Sequence, residues 1–166
     1  MRPTWRNIAD LANSGFSEVP SDDSGIYVVR WSRRGKPITI QRLGGTDLNG
    51  ILYIGSAKKL RRRLRTLWNG INGQGKHTMG KTIIFCKLHE IISPNDFQIA
   101  WEKVKNHDTA LGQEWAAIVE YSQKFKEPPP LNLNLSRTKY ALAGLAEAGK
   151  SRFAYESDEF VRALLE

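Results

Sequence analysis

Apolar residues recur along this chain with two different periods. Over residues 3–13, Trp5, Ile8, Leu11 and Ala12 fall at helical spacing and predict a short helix. The stretches 25–31 and 51–56 are instead short runs of apolar, β-branched and aromatic residues, and both predict strands. Residues 37–43 alternate and are expected to extend a hairpin, between turn clusters at 32–37 and 44–50. Helical spacing returns over residues 58–68, at Leu60, Leu64, Leu67 and Trp68, and Ile71 continues the stripe. Residues 81–92 satisfy both patterns. Thr82-Ile83-Ile84-Phe85 reads as a strand, Ile84, Leu88 and Ile91 as a helical stripe, and helix is preferred. Residues 97–104 alternate as a third strand. Thr109 is placed to cap a long helix over 110–125, which Pro128-Pro129-Pro130 ends. An extended segment over 131–135 follows. A last helix is predicted over 157–165, with Asp158 and Glu159 in its first turn.

Length adds that this is one domain with a core of its own, and no repeat or linker divides it. Charge adds more. A net charge of +8 and a pI near 9.7 point to a polyanionic partner. No apolar run is long enough to span a bilayer, so nucleic acid is favoured over membrane. The first residues lack the apolar stretch of a signal peptide, and the lone Cys86 excludes an internal disulfide and a thiolate zinc site. A reducing cytoplasm is the expected location. Six of the eight residues from Lys58 to Arg65 are basic. Such density favours phosphate contacts over a merely solvated face, because each neutralised phosphate releases condensed counterions.

Candidate chemistry lies in two tripeptides, Gly25-Ile26-Tyr27 and Tyr53-Ile54-Gly55, inside the first two predicted strands. Each carries a tyrosine, an apolar ring ending in a titratable hydroxyl. If the strands pair, the hydroxyls can meet on one face. An arginine-bearing helix, a glutamate-bearing helix and Lys126-Glu127-Pro128-Pro129-Pro130-Leu131-Asn132 follow in that order. This ordered set resembles the GIY-YIG endonuclease family. The segment from Tyr53 to Leu64 is similar to the stretch those enzymes carry after their second strand. The resemblance covers about residues 24–134, and the spacer between the tripeptides is longer than in compact members. It implies an α+β fold, a small three-stranded antiparallel sheet flanked by helices, and a helix after His77. The expected organisation is an N-terminal helix and loop over 1–23, a nuclease domain over 24–135, and a helical tail over 136–166 packed on it.

The resemblance also implies a metal-dependent endonuclease that hydrolyses DNA phosphodiesters and leaves a 5′-phosphate. It implies one divalent cation, Mg2+ or Mn2+, with a single glutamate as its protein ligand, and the first tyrosine, Tyr27, as the base that takes the water's proton. Tyrosine normally titrates near pH 10, so a nearby cation must favour its phenolate. Tyr53 is assigned to orienting the water and the scissile phosphate. At about 100° per residue, the stripe of the basic helix is flanked by Arg61 and Arg63 alone. Geometry leaves both open; family spacing from Gly55 selects Arg63, whose fork suits two phosphate oxygens. The stripe of the long helix, Leu111, Trp115, Ile118, Val119 and Phe125, puts Glu114 at its edge and Glu120 nearly opposite. Ala110-Leu111 ahead of Glu114 also fits the family pattern, and its hard oxygens suit magnesium or manganese. His77 has two equal readings, a proton donor or phosphate contact and a helix or loop cap. Asn132 resembles the family's late asparagine, with Asn134 close by. Lys58, Lys59, Arg61, Arg62 and Arg65 are candidates for backbone contacts with DNA. No small-molecule cofactor is expected. The rival reading is a catalytically silent nucleic-acid-binding module on the same fold.

Overall fold

A computed structural model describes residues 3–133 and 159–165. In chain order the elements are β1 (Arg6–Asn7), α1 (Ile8–Asn13), β2 (Gly25–Arg33), β3 (Lys36–Pro37), β4 (Ile40–Arg42), β5 (Gly45–Asp47), β6 (Ile51–Ala57), α2 (Leu60–Ile71), α3 (Thr78–Phe85), β7 (Phe97–Lys103), α4 (His107–Phe125) and α5 (Glu159–Leu165). β2 is the middle strand. Its first six residues are all buried, which is why it reads as a continuous apolar run rather than an alternating one. It pairs antiparallel with β6 on one side and β7 on the other. These are the three strands expected. β1 adds to β7, and β3 to the far end of β2, making five in all. The predicted hairpin over 37–43 is divided: Lys36 and Pro37 pair with β2, while β4 pairs with β5 as a separate two-stranded ribbon.

The sheet divides the core in two. Tyr27, Val29, Tyr53 and Ile99 face α1, α2 and α3, where Leu60, Leu64, Leu67, Met79 and Ile83 are buried. Ile26, Val28, Ile54 and Ala100 face α4, with Ala117, Ile118, Tyr121 and Phe125. Phe160 of α5 joins this second core. The predicted segment 131–135 is described only to Leu133. Asn134, the tail over 136–158 and the first-turn Asp158 lie outside the described residues. Among the described residues no helix is long and apolar enough to cross a membrane.

Three elements differ from the sequence pattern, each for a physical reason. Residues 6 and 7 of the predicted N-terminal helix are spent on β1, and the Asn7 side chain then caps α1 by accepting from the Ala9 and Asp10 N–H groups. The helix expected over 81–92 begins earlier, at Thr78, and ends at Phe85, because Lys87 turns left-handed at φ 55°. Its buried face is Met79, Thr82 and Ile83; Ile84 and Ile91 of the expected stripe are exposed. α4 starts at His107, and its cap is Asn106 rather than Thr109: the Asn106 side chain accepts from the Thr109 N–H at 2.8 Å.

The packing of α2 on α3 sets the site. A Cβ on Gly80 would lie 2.4 Å from the Gly70 backbone, so only two glycines let the helices cross this closely. α2 has no side-chain cap. Its first N–H groups are met by loop carbonyls instead, Leu60 by Asp23 at 3.0 Å and Arg61 by Pro20 at 3.2 Å.

Candidate active site

Pairing register brings the tyrosines together. Tyr27 lies opposite Gly55, and Val29 opposite Tyr53, so the two tyrosines are diagonal neighbours on one face. Their ring centroids are 6.0 Å apart. Gly55 is required between them: a Cβ there would lie 2.7 Å from the Tyr27 hydroxyl and 2.6 Å from the Tyr53 ring. Tyr27 has no exposed surface, and Tyr53 retains 7 %.

Two side chains converge on the Tyr27 oxygen. Arg63 donates from Nε at 3.1 Å. His77 sits at 3.1 Å through Nε2. Its Nδ1 accepts from the Met79 N–H at 3.2 Å, capping α3, so the single ring proton sits on Nε2 and points at Tyr27. Burial, with Arg63 adding to it, lowers the His77 pKa to about 3 and keeps the ring neutral. The Tyr53 ring meets His77 edge-on with centroids 5.7 Å apart. Burial raises the Tyr27 pKa well above 10, and the Tyr53 and Glu114 charges add to this, while Arg63 works the other way. Burial likewise raises that of Tyr53, followed by Glu114. Burial opposes the charge on Arg63, but the two tyrosine oxygens outweigh it and hold the guanidinium above its ordinary value.

Glu114 lies on the buried face of α4, not at its edge. Leu111, Trp115 and Val119 are only half-buried; the inward residues are Ala110, Gly112, Glu114, Ala117, Ile118, Tyr121 and Phe125. Small residues let the helix lie close to β6, and this rotates the face away from the one its large apolar residues suggest. Ser56, which follows Tyr53-Ile54-Gly55 and points to the α4 side, donates a short hydrogen bond to the Glu114 carboxylate. Glu120 is half-buried on the same helix. Among the described residues no group of three or more His, Cys, Asp or Glu gathers as a metal cage. The buried Glu114 carboxylate is a hard oxygen donor, and a cation held by it would draw its remaining ligands from water and phosphate.

The other candidates are placed differently from one another. Asn132 spends both ends of its amide on Ile54, accepting from the N–H at 2.9 Å and donating to the carbonyl at 2.7 Å. Arg61 turns to the Val19 carbonyl at 2.7 Å, Arg65 to the Gly15 carbonyl at 2.7 Å, and Lys59 to Asp22 at 2.8 Å. Half of the basic run thus holds the 15–23 loop against α2. Lys58 and Arg62 are exposed. Trp68 and Trp101 pack partly buried against the first core.

Sequence reading missed Ser56, whose role follows from strand alternation once Glu114 is placed. It also missed a buried network where the long spacer docks on α4. Asp47 accepts from the Asn49, Gly50 and Ile51 N–H groups and from the Tyr121 hydroxyl at 2.9 Å. Arg42 donates to the Tyr121 oxygen at 2.9 Å and pairs with Glu127 at 3.2 Å. Nothing in the local sequence marks these as partners.

Compared with known proteins, residues 24–127 match the family model described as the GIY-YIG catalytic domain. No curated protein and no solved structure matches the chain.

Proposed function

The chain belongs to the GIY-YIG nuclease family, whose members act on nucleic acid and generally depend on a divalent metal ion, and on that premise we propose that it is an endonuclease hydrolysing DNA phosphodiester bonds. The observation that carries this reading is the convergence of two donors, Arg63 Nε–H and His77 Nε2–H, on one buried tyrosine oxygen. Two hydrogen bonds to an oxygen favour its ionised form. Burial opposes ionisation and keeps Tyr27 protonated in the site as it stands. Tyr27 would act as a base once further positive charge at the site lets it lose its own proton to solvent, leaving a phenolate that takes the water's proton.

Each residue has one task in this reading. Tyr27 accepts the proton. Tyr53, the more exposed of the pair, orients the water and the phosphate. Arg63, held by both tyrosines, turns its remaining guanidinium N–H groups to phosphate oxygens. His77 fixes the Tyr27 oxygen and keeps its proton. Glu114 is the ligand for Mg2+ or Mn2+, steadied by Ser56. When bound there, the cation supplies charge to the phosphate and the leaving oxygen. Asn132 acts at one remove, holding the backbone between Tyr53 and Gly55. The domain proper spans 24–135, with the N-terminal segment packed on it.

The test is plasmid DNA incubated with magnesium or manganese. Wild type is expected to nick or cut it, and Tyr27→Phe and Glu114→Ala to leave it intact. DNA binding by wild type without cleavage under any divalent ion would favour a silent binding module. Full cleavage by Glu114→Ala, with loss in Glu120→Ala, would move the metal to the other carboxylate.

A further inference from the structure

From Leu48 to His89 the chain carries nine lysines and arginines and no aspartate or glutamate. This stretch forms β6, α2 and α3, and its charge matches a polyanion. Within it α3 exposes something a phosphate surface does not need. Lys81, Ile84 and Phe85 stand three and four residues apart, on one outward face. Phe85 is 88 % exposed, and Ile91 beyond the turn is 63 % exposed. Lys76, Lys81 and Lys87 of the same stretch are all exposed. The helix starts at His77, on the Tyr27 oxygen, so Phe85 lies about 12 Å along the axis from the proposed site of reaction. At the duplex rise of about 3.4 Å that is three or four nucleotides, and fewer for an extended single strand.

An aromatic ring offered to solvent among cations fits a base that has lost its stacking partner; a continuous duplex offers it none. Resting on the nuclease reading above, we propose that Phe85, with Ile84 beside it, stacks on unpaired bases, so that the substrate is nucleic acid with a single-stranded or unpaired stretch a few nucleotides from the scissile bond. Lys81 and Lys87 hold the backbone of that stretch. Base stacking is sequence-tolerant, because every base has a π-face.

The test uses the full chain carrying Tyr27→Phe, without added divalent ion, so that binding is read apart from cleavage. The probes are a single-stranded oligonucleotide with 2-aminopurine and the same sequence fully paired. The single strand is expected to bind more tightly, with a change in 2-aminopurine emission. Phe85→Ala is expected to weaken single-strand binding about tenfold and duplex binding by less than about twofold, and Phe85→Trp to restore it. The melting temperature should not move, since the ring is exposed. Equal losses on both probes, or none on either, overturn the stacking assignment and leave the nuclease reading standing if wild type cuts. A dimer that Phe85→Ala dissociates in sedimentation assigns the patch to a second copy and also overturns it. No binding to either probe, with no cleavage by wild type, overturns both readings.

Discussion

Two tyrosines lie buried on opposite sides of this sheet, and each receives a hydrogen bond from an arginine. Tyr27 has Arg63 and His77; Tyr121 has Arg42 and Asp47. Burial raises the pKa of both. The second partner separates them. Asp47 takes the Tyr121 proton in a hydrogen bond and keeps it there. His77 instead donates to the Tyr27 oxygen. On the proposed reading Tyr121 holds its proton, and Tyr27 is the one that gives its proton up once the site gains positive charge. Burial and an arginine are common to both tyrosines, so on the proposed reading it is the direction of the last hydrogen bond that singles out Tyr27 as the base.

Substituting each ring tests the comparison most severely. Tyr27→Phe is expected to lower cleavage by about 10³-fold with the fold intact, as for a general base. Tyr121→Phe is expected to leave cleavage unchanged and cost about 1–2 kcal/mol of stability in denaturant unfolding. Equal losses of cleavage in both variants would abolish the distinction. His77 sharpens it through pH. Its folded pKa, near 3, lies below the ordinary 6.5, so the unfolded chain binds a proton first. Its contribution is complete above pH 6.5 and is lost as pH falls towards 3, on the order of 4 kcal/mol across that window. His77→Asn keeps a good helix cap and removes the titration, so its stability curve should be flatter there. An unchanged slope would mean that His77 is already charged in the folded protein.

Asp47→Ala comes next. It strands three backbone N–H groups and the Tyr121 hydroxyl, and about 3 kcal/mol of destabilisation is expected, with cleavage per folded molecule unchanged. Loss of activity without loss of stability would tie the spacer to catalysis. Arg63→Lys is the smallest change. It keeps the charge and loses the fork, and about a tenfold fall in cleavage is expected. No fall would reduce Arg63 to a point charge.

The parts legible in the sequence are those set by local periodicity. Residues Gly25 to Trp31, Ile51 to Ser56 and Phe97 to Lys103 carry strand patterns and are strands. Leu60, Leu64 and Leu67 are spaced as a buried helix stripe and are buried. The glutamate helix shows the limit. Its large residues suggested one face, but close approach to β6 selected the face with alanines, and that burial is not encoded in residue size alone. Ile84 and Ile91 misled in the opposite sense, as apolar residues left in solvent. The partners of Tyr27 were present as residue types in order. That Arg61 and Arg63, two positions apart, turn to a loop carbonyl and to a tyrosine oxygen depends on how the 15–23 loop wraps α2. Asp47, Arg42 and Tyr121 meet only through tertiary docking.

Asn132 has one more consequence. Among the described residues β6 pairs with β2 on one side only, and an open strand edge is a template on which another chain can extend the sheet. Here Leu131 donates its N–H to the Leu52 carbonyl at 2.9 Å, and the Asn132 amide fills the next donor–acceptor pair at Ile54. A side chain thus fills hydrogen-bonding positions that a neighbouring strand would otherwise take. Asn132→Ala would reopen that edge beside the tyrosines and invite sheet-to-sheet aggregation, detectable by light scattering of the concentrated protein.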